Sequence, residues 1–152
     1  MSTSQRLPRT VLIIEDSDID RLIVSRIAAR AWPDVRLLHA ADGQEAIEVL
    51  DADTDPSPEL ILLDINMPRV DGHEFLRRYF AERDLECPAV VILTSSSLEA
   101  DRVRTRPYTS VKDYLVKPVR ADDLRQIGAS FATWTGARPN GMTDSFATAH
   151  HR

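Results

Sequence analysis

The sequence has 152 residues, of which 43% are hydrophobic and 28% charged, and its formal net charge is −5, a composition typical of one soluble globular domain. The acidic balance, without any basic block, argues against a nucleic-acid-binding surface. No apolar stretch approaches the ~18 residues of a membrane-spanning helix, and the start of the sequence lacks the apolar region of a secretory signal. The single cysteine, Cys87, excludes an internal disulfide, which is typical of proteins from a reducing compartment. We therefore expect a cytoplasmic protein without a membrane segment.

Five short aliphatic runs alternate with segments of helical periodicity along the chain. The predicted strands are Thr10–Ile14, Val35–His39, Leu60–Leu63, Ala89–Thr94 and Val111–Val116. The predicted helices follow Ser17-Asp18, Asp42-Gly43, Asp71-Gly72, Ser97 and Lys117-Pro118. Because Pro107 limits the fourth helix, we expect that helix to be short or irregular.

This alternation predicts parallel strands joined by right-handed crossovers, with helices on both faces of the sheet. We therefore expect an α/β fold, a five-stranded parallel doubly wound sandwich with the flavodoxin-like strand order 2-1-3-4-5. The expected domain spans residues 9–134 and follows an N-terminal extension over 1–8. Residues 135–152 are rich in Gly, Pro, Asn, Thr and Ser, which predicts a flexible C-terminal tail.

Polar side chains stand where four of the predicted strands end: Glu15 and Asp16, then Asp64, Thr94 and Lys117. These ends share one edge of a parallel sheet, and strands ~4.8 Å apart bring the groups within roughly 15 Å. Each residue alone could cap a turn or helix, but three carboxylates this close need a counter-charge. A divalent cation bound by oxygens, together with the lysine, would supply it. A carboxylate beside such an ion can attack phosphorus and form an acyl phosphate.

Four motifs in this order resemble the receiver domain of two-component response regulators. They are Glu15-Asp16, Leu63-Asp64-Ile65-Asn66-Met67-Pro68 with Asp71-Gly72, Leu93-Thr94-Ser95 and Tyr114-Leu115-Val116-Lys117-Pro118. The resemblance covers about residues 9 to 134 and implies a stand-alone, chemotaxis-regulator-like protein. Such a protein takes a phosphoryl group from a sensor histidine kinase or a histidine phosphotransfer protein.

The resemblance implies that four of the matching residues form the phosphorylation and metal site. Asp64 would be the phosphoacceptor. Asp16 would bind Mg²⁺ directly, with Mn²⁺ as an alternative ion, and Glu15 would act mainly through water. The backbone carbonyl of Asn66 and the carboxylate of Asp64 would also bind the metal.

Four further residues would contact the phosphoryl group or respond to it. Lys117 and Thr94 would each contact a phosphoryl oxygen, and Ser95 would leave room for the group. Tyr114 matches an aromatic side chain that turns inward when Thr94 moves. The alternative for Tyr114 is a strand aromatic packed against helix four or five.

The sequence also departs from the family pattern. The segment Arg106–Lys112 has a proline and no glycine, where receiver domains often have a Gly-Ala type sequence, which puts the shape of helix four in question. The roughly 18 residues after Trp134 are too few to fold alone, so we expect no DNA-binding output domain and a downstream protein target that the sequence does not name. Phe131, Trp134 and Phe146 leave a homodimer open.

Two other functions compete with the phosphorylation switch. One is a receiver-like module that binds its partner independently of phosphorylation. The other is a phosphatase that uses an aspartyl phosphate, but that class resembles Asp-x-Asp at its nucleophile, and here Asn66 stands at the second position. We therefore expect no enzyme with an external substrate, but a phosphoacceptor that promotes its own phosphotransfer and dephosphorylation.

Overall fold

The computed structural model describes residues 6–52, 56–67, 71–80, 88–95 and 98–136. Cys87, Phe146 and the expected tail from residue 137 onward lie outside these ranges. In the described part of the chain, the strands are β1 (Thr10–Ile14), β2 (Arg36–Ala40), β3 (Leu60–Asp64), β4 (Ala89–Thr94) and β5 (Val111–Val116). The helices are α1 (Asp18–Ala31), α2 (Gly43–Asp51), α3 (Gly72–Phe80), α4 (Leu98–Thr105) and α5 (Ala121–Gly136).

All the strands pair in parallel and in the order β2-β1-β3-β4-β5. This arrangement confirms the expected α/β fold and its strand order. Among the helices described, none is long and apolar enough to cross a lipid bilayer.

The sheet separates two hydrophobic layers because successive residues of a strand point to opposite faces. From β1, Val11 and Ile13 enter the layer that includes Phe131 of α5, whereas Leu12 and Ile14 enter the layer with the aromatic face of α3. Every residue of β1, β3 and β4 is buried, whereas in β2 and β5 only Ala40 is buried and the other residues are partly buried or exposed. The polar site at the strand ends is therefore carried mainly by the buried centre of the sheet.

Side-chain caps start the helices directly after the strands. Ser17 accepts a hydrogen bond from the Asp20 backbone at the start of α1, and Asp42 accepts one from the Glu45 backbone at the start of α2. Such caps satisfy backbone N–H groups that have no partner within the helix. The capped start of α1 fixes the short segment that carries the acidic pair.

Several boundaries differ by one or two residues from the sequence prediction: β2 lies one residue later, β3 ends at Asp64, and α5 runs to Gly136, into the predicted tail. Strand β2 begins at Arg36 and not at Val35, because the Val35 N–H closes a turn by donating to the Trp32 carbonyl at 3.0 Å. Helix α4 is short, as expected, and it is regular up to Thr105. Beyond it, the β4–β5 pairing shifts register between Val90 and Val91, which adds a bulge at the base of β5.

Gly72, the first residue of α3, lies against the backbone that follows the end of β3. A β-carbon at this position would lie 2.7 Å from Ile65 Cα and 3.0 Å from the Asp64 carbonyl oxygen. Because backbone atoms cannot turn away as a side chain can, we expect Gly72→Ala to lower the free energy of unfolding by about 2 kcal/mol, despite the better helix propensity of alanine. Urea denaturation measures this change.

Gly128 on α5 provides the comparison for Gly72. A β-carbon there would meet side-chain atoms, Trp32 Nε1 at 2.7 Å and Leu7 Cδ2 at 3.0 Å. Since side chains can repack more readily than backbone, we expect Gly128→Ala to cost less than Gly72→Ala. An equal or larger cost at Gly128 would contradict the backbone contact as the reason.

Candidate phosphorylation and metal site

Three carboxylates meet at the carboxyl ends of β1 and β3. One carboxylate oxygen each from Glu15, Asp16 and Asp64 lies within 4.8 Å of the other two. The pairing of Ile14 with Leu63 puts the residues that follow them at the same level of the sheet. Glu15 and Asp64 are only 1% and 3% exposed, whereas Asp16 is exposed. The cluster thus has a buried floor and one carboxylate on its solvent side.

Lys117 reaches this cluster from the end of β5. Its Nζ lies 2.8 Å from Glu15 Oε1 and 3.1 Å from Asp64 Oδ2. The Lys117 N–H donates to the Thr94 carbonyl at 2.8 Å, which ties the end of β5 to that of β4, and the peptide that follows, Lys117-Pro118, is cis. The lysine is the counter-charge that the crowded carboxylates require.

Burial and crowding shift the protonation of the cluster in the metal-free protein. Burial raises the pKa of Glu15 to about 8, and the neighbouring Asp64 carboxylate adds to the rise, while Lys117 opposes it. Burial lowers the pKa of Lys117, but the carboxylates of Glu15 and Asp64 outweigh that effect and raise it overall. The ammonium therefore stays charged, and Glu15 holds a proton near neutral pH.

The donor set fits an oxygen-liganded divalent cation. Within the described chain, Glu15 Oε2 is buried and has no hydrogen-bond partner. Carboxylate oxygens are the ligands that hard cations of this kind prefer. The buried oxygen of Glu15 and the exposed carboxylate of Asp16 could therefore hold such an ion beside Asp64.

The rim of the site is polar and open to solvent. Asp64 Oδ1 accepts a hydrogen bond from the Asn66 backbone N–H at 3.0 Å. The Asn66 side chain donates to Ser95 Oγ at 3.2 Å, and both residues are exposed. This bridge joins the segments that follow β3 and β4. The metal-ligand role of the Asn66 backbone carbonyl stays a prediction.

Thr94 ends β4 beside the cluster, but its hydroxyl is turned toward α4. The side chain is fully buried, and Thr94 Oγ1 donates to Asp101 Oδ2 at 2.6 Å. The other oxygen of Asp101 lies 3.3 Å from His73 Nε2 of α3. The hydrogen that Thr94 could offer to a phosphoryl oxygen is therefore held by a buried carboxylate.

Tyr114 of β5 is also bonded to α4. Its hydroxyl lies 2.5 Å from Thr105 Oγ1, and the Arg102 guanidinium carbon lies 5.2 Å from the centre of its ring. The tyrosine thus packs against α4, as the alternative interpretation expected. Its inward movement stays a prediction.

Sequence reasoning assigned no role to Asp101, His73 or Thr105. The available signal was the composition of α4, which has no apolar stripe. Asp101 and Thr105 are four residues apart and therefore share one face of the helix. Both are buried, so the face that α4 turns toward the protein is polar.

Comparisons with known proteins agree with this geometry. The response regulator receiver domain family matches residues 11–128. The response regulator Rcp1 of Synechocystis is 34% identical over 128 residues, which are 82% of this chain and 86% of Rcp1. The structure of the Mn²⁺-bound form of Rcp1 aligns with a TM-score of 0.60 at 32% identity, over 81% of this chain and 91% of that one.

A second solved structure is the phosphorylated cyanobacterial phytochrome response regulator RcpA. It is 26% identical and aligns with a TM-score of 0.63, over 80% of this chain and 89% of that chain. One similar protein was therefore solved with a divalent metal and another in a phosphorylated state.

Proposed function

The chain belongs to the receiver domain family of two-component response regulators, and from that membership we propose that it is a phosphorylation switch with Asp64 as its phosphoacceptor. The observation that carries this proposal is the position of the Asp64 carboxylate. It ends a fully buried strand, lies 3.1 Å from the Lys117 ammonium and is crowded by the Glu15-Asp16 pair. The phosphorylated RcpA structure adds support.

We expect Asp64 to react as a nucleophile toward a phosphohistidine of the partner. A P–O bond to a carboxylate oxygen forms as the P–N bond breaks, and the departing imidazole nitrogen takes its proton from solvent. The Asn66 N–H orients the carboxylate through Oδ1. Lys117 provides positive charge where the phosphoryl oxygens would lie. The chemistry of the chain is then limited to gaining and losing its own phosphoryl group.

We propose Mg²⁺ as the resident ion of the acidic cluster. Asp16 and Asp64 would hold it, with Glu15 beside them and the Asn66 backbone carbonyl as a further oxygen donor. The buried, unpartnered Oε2 of Glu15 and the Mn²⁺ bound by the relative Rcp1 support a divalent ion here. When bound, the ion supplies positive charge that stabilises the transferring phosphoryl group.

The proposed donor is a sensor histidine kinase or a histidine phosphotransfer protein. Helix α1 starts directly after the acidic pair and exposes apolar side chains in its first two turns. These are Ile19, Leu22 and Ile23. A partner that reaches Asp64 would meet this apolar surface next to the site, and contiguous exposed apolar side chains are typical of protein contacts.

Intact-mass measurement tests the proposal. Incubation with acetyl phosphate and Mg²⁺ is expected to add one phosphoryl group per chain to the wild-type protein and none to Asp64→Asn. Removal of the divalent ion with a chelator should slow the modification strongly. Asp18→Asn, a substitution at an exposed carboxylate near the acidic pair, should still accept one group.

Two outcomes contradict the proposal. One is a folded wild-type protein whose mass stays unaltered, which would favour the phosphorylation-independent interaction module. The other is a phosphoryl group retained by Asp64→Asn, which would place the acceptor elsewhere.

A further inference from the structure

Both side chains with a predicted switching role are linked by hydrogen bonds to one residue of α4, Asp101: Thr94 directly and Tyr114 through Thr105. Thr94 donates to the Asp101 side-chain Oδ2 at 2.6 Å. Tyr114 reaches its backbone through Thr105, because Thr105 Oγ1 donates to the Asp101 carbonyl at 2.7 Å and lies 2.5 Å from the tyrosine hydroxyl. Thr105 has a single hydroxyl hydrogen, so the Tyr114 hydroxyl is the donor in their bond.

We propose that Asp101 is a positioning residue that holds Thr94 away from the phosphoryl group and so sets how readily the protein switches. The proposal rests on the proposed function, since it concerns the response of Thr94 to an occupied Asp64. Asp101 acts through Thr94 and Thr105 and is not itself part of the phosphoryl site.

The two bonds that Thr94 could make exclude each other. A threonine hydroxyl carries one hydrogen, so a bond to a phosphoryl oxygen requires that the bond to Asp101 be given up. That bond is short, buried and directed at a carboxylate, and hydrogen bonds to charged acceptors are the strong ones. The resting position of Thr94 is therefore stabilised, and phosphorylation has to overcome it.

His73 keeps the acceptor in place. Its Nε2 lies 3.3 Å from Asp101 Oδ1, and since a carboxylate only accepts, this nitrogen donates. Both side chains are largely buried, so the carboxylate is fixed from α3 as well as by its own helix. When Thr94 leaves, Asp101 keeps the His73 contact and loses one bond at Oδ2.

The hydrogen bonds of Thr105 couple Tyr114 to Asp101 as well. Release of Thr94 changes the hydrogen bonding of Asp101 within α4, and the chain of hydroxyls carries any displacement of this turn to the Tyr114 ring. Arg102 lies over that ring from the next position of the helix. The structure thus connects both side chains through one turn of α4, without a direct contact between them.

The test measures the affinity for beryllofluoride, which binds an aspartate in place of a phosphoryl group, by titration calorimetry with Mg²⁺. If Asp101 stabilises the resting position of Thr94, replacing its carboxylate with a weaker acceptor should raise the population of molecules whose Thr94 hydroxyl is free to bond beryllofluoride. A larger population of this binding-competent state tightens binding. We expect Asp101→Ala to bind about tenfold more tightly than wild type, the size of effect typical of one hydrogen bond to a charged group. Asp101→Asn keeps a neutral acceptor, and should bind about threefold more tightly.

Two comparisons separate positioning from a general structural effect. Glu99→Ala removes another first-turn carboxylate of α4, exposed in this case, and should leave the affinity unchanged. In a Thr94→Val background, Asp101→Ala should also leave the affinity unchanged, because the coupled hydroxyl is gone. Urea midpoints confirm that each variant is folded, and if Asp101→Ala does not fold, Asp101→Asn decides alone.

The outcomes distinguish the two levels of proposal. If wild type does not bind beryllofluoride, the proposed function is wrong and this inference with it. If wild type binds, but the Asp101 variants bind equally well or more weakly, the proposed function stands and the role of Asp101 is wrong. An equal tightening in the Thr94→Val background would also overturn that role.

Discussion

Replacing Lys117 with methionine is expected to lower the free energy of unfolding of the metal-free protein by about 3 kcal/mol at pH 8. The ammonium lies within 2.8 Å of Glu15 and 3.1 Å of Asp64, and both carboxylates are almost fully buried. Methionine keeps most of the length of the side chain but leaves these acids without a counter-charge. Because burial raises the pKa of Glu15 to about 8, Glu15 holds a proton at pH 5 and needs no counter-charge there, so the loss should shrink at that pH. Urea denaturation at both pH values measures it.

Lys112→Met is the matched control, since Lys112 lies on β5, the strand that Lys117 follows, and is partly exposed. Surface changes of this kind usually alter stability by less than about 0.5 kcal/mol, and we expect no dependence on pH. A Lys117 variant as stable as the Lys112 variant at pH 8 would show that the lysine does not offset the buried charge.

The second large effect is a decline in the stability of the metal-free protein as the pH rises from 5 to 8. Burial beside Asp64 raises the pKa of Glu15 from 4.5 to about 8. Between these values the folded protein holds a proton that the unfolded chain has lost, so stability falls with rising pH. Between pH 5 and pH 8 we expect the free energy of unfolding to fall by about 3 kcal/mol in total. This fall is below the limit of about 1.4 kcal/mol per pH unit for the release of one proton. Chemical denaturation in EDTA at several pH values measures it.

Glu15→Gln should remove most of this slope, because the amide does not titrate. Glu48→Gln, at an exposed carboxylate of α2, should keep it. Saturating Mg²⁺ should stabilise the wild-type protein more at pH 8 than at pH 5, since ligand binding to the folded state adds stability and competes with the proton. A slope unchanged by Glu15→Gln would assign the titration to another group.

The strand-end carboxylates were predictable because each follows a run of aliphatic residues. Once such runs are assigned to parallel strands, Glu15 and Asp64 must share one edge of the sheet. The structure brings the cluster closer than the roughly 15 Å expected from strand spacing, with ligand oxygens within 4.8 Å of one another. Strand spacing takes no account of side-chain reach, and the long side chain of Lys117 spans the remaining distance.

The contacts of α4 were not predictable in the same way. Helical periodicity is recognised from apolar residues, and the buried face of α4 carries Asp101 and Thr105 instead. A helix of this composition has the pattern of a solvated one. The partner of Asp101, His73, belongs to α3, and neither local sequence encodes the packing that brings them together. The sequence likewise does not decide whether Tyr114 is a switch residue or a strand aromatic packed against a helix, because its spacing from Lys117 does not specify which residues it contacts.

The contrast between the central and outer strands has a consequence for how the molecule fluctuates. Amide hydrogens of β1, β3 and β4, buried on both faces, belong to the part of a domain that exchanges with solvent last. Helix α4 is only eight residues long and β5 is partly exposed along its length, so both can open locally while the centre stays closed. Asp64 and Thr94 thus end strands that should open last, whereas Tyr114 and Asp101 lie on elements that should open more easily. If Asp64 is phosphorylated as proposed, a response in α4 and β5 need not disturb the central strands.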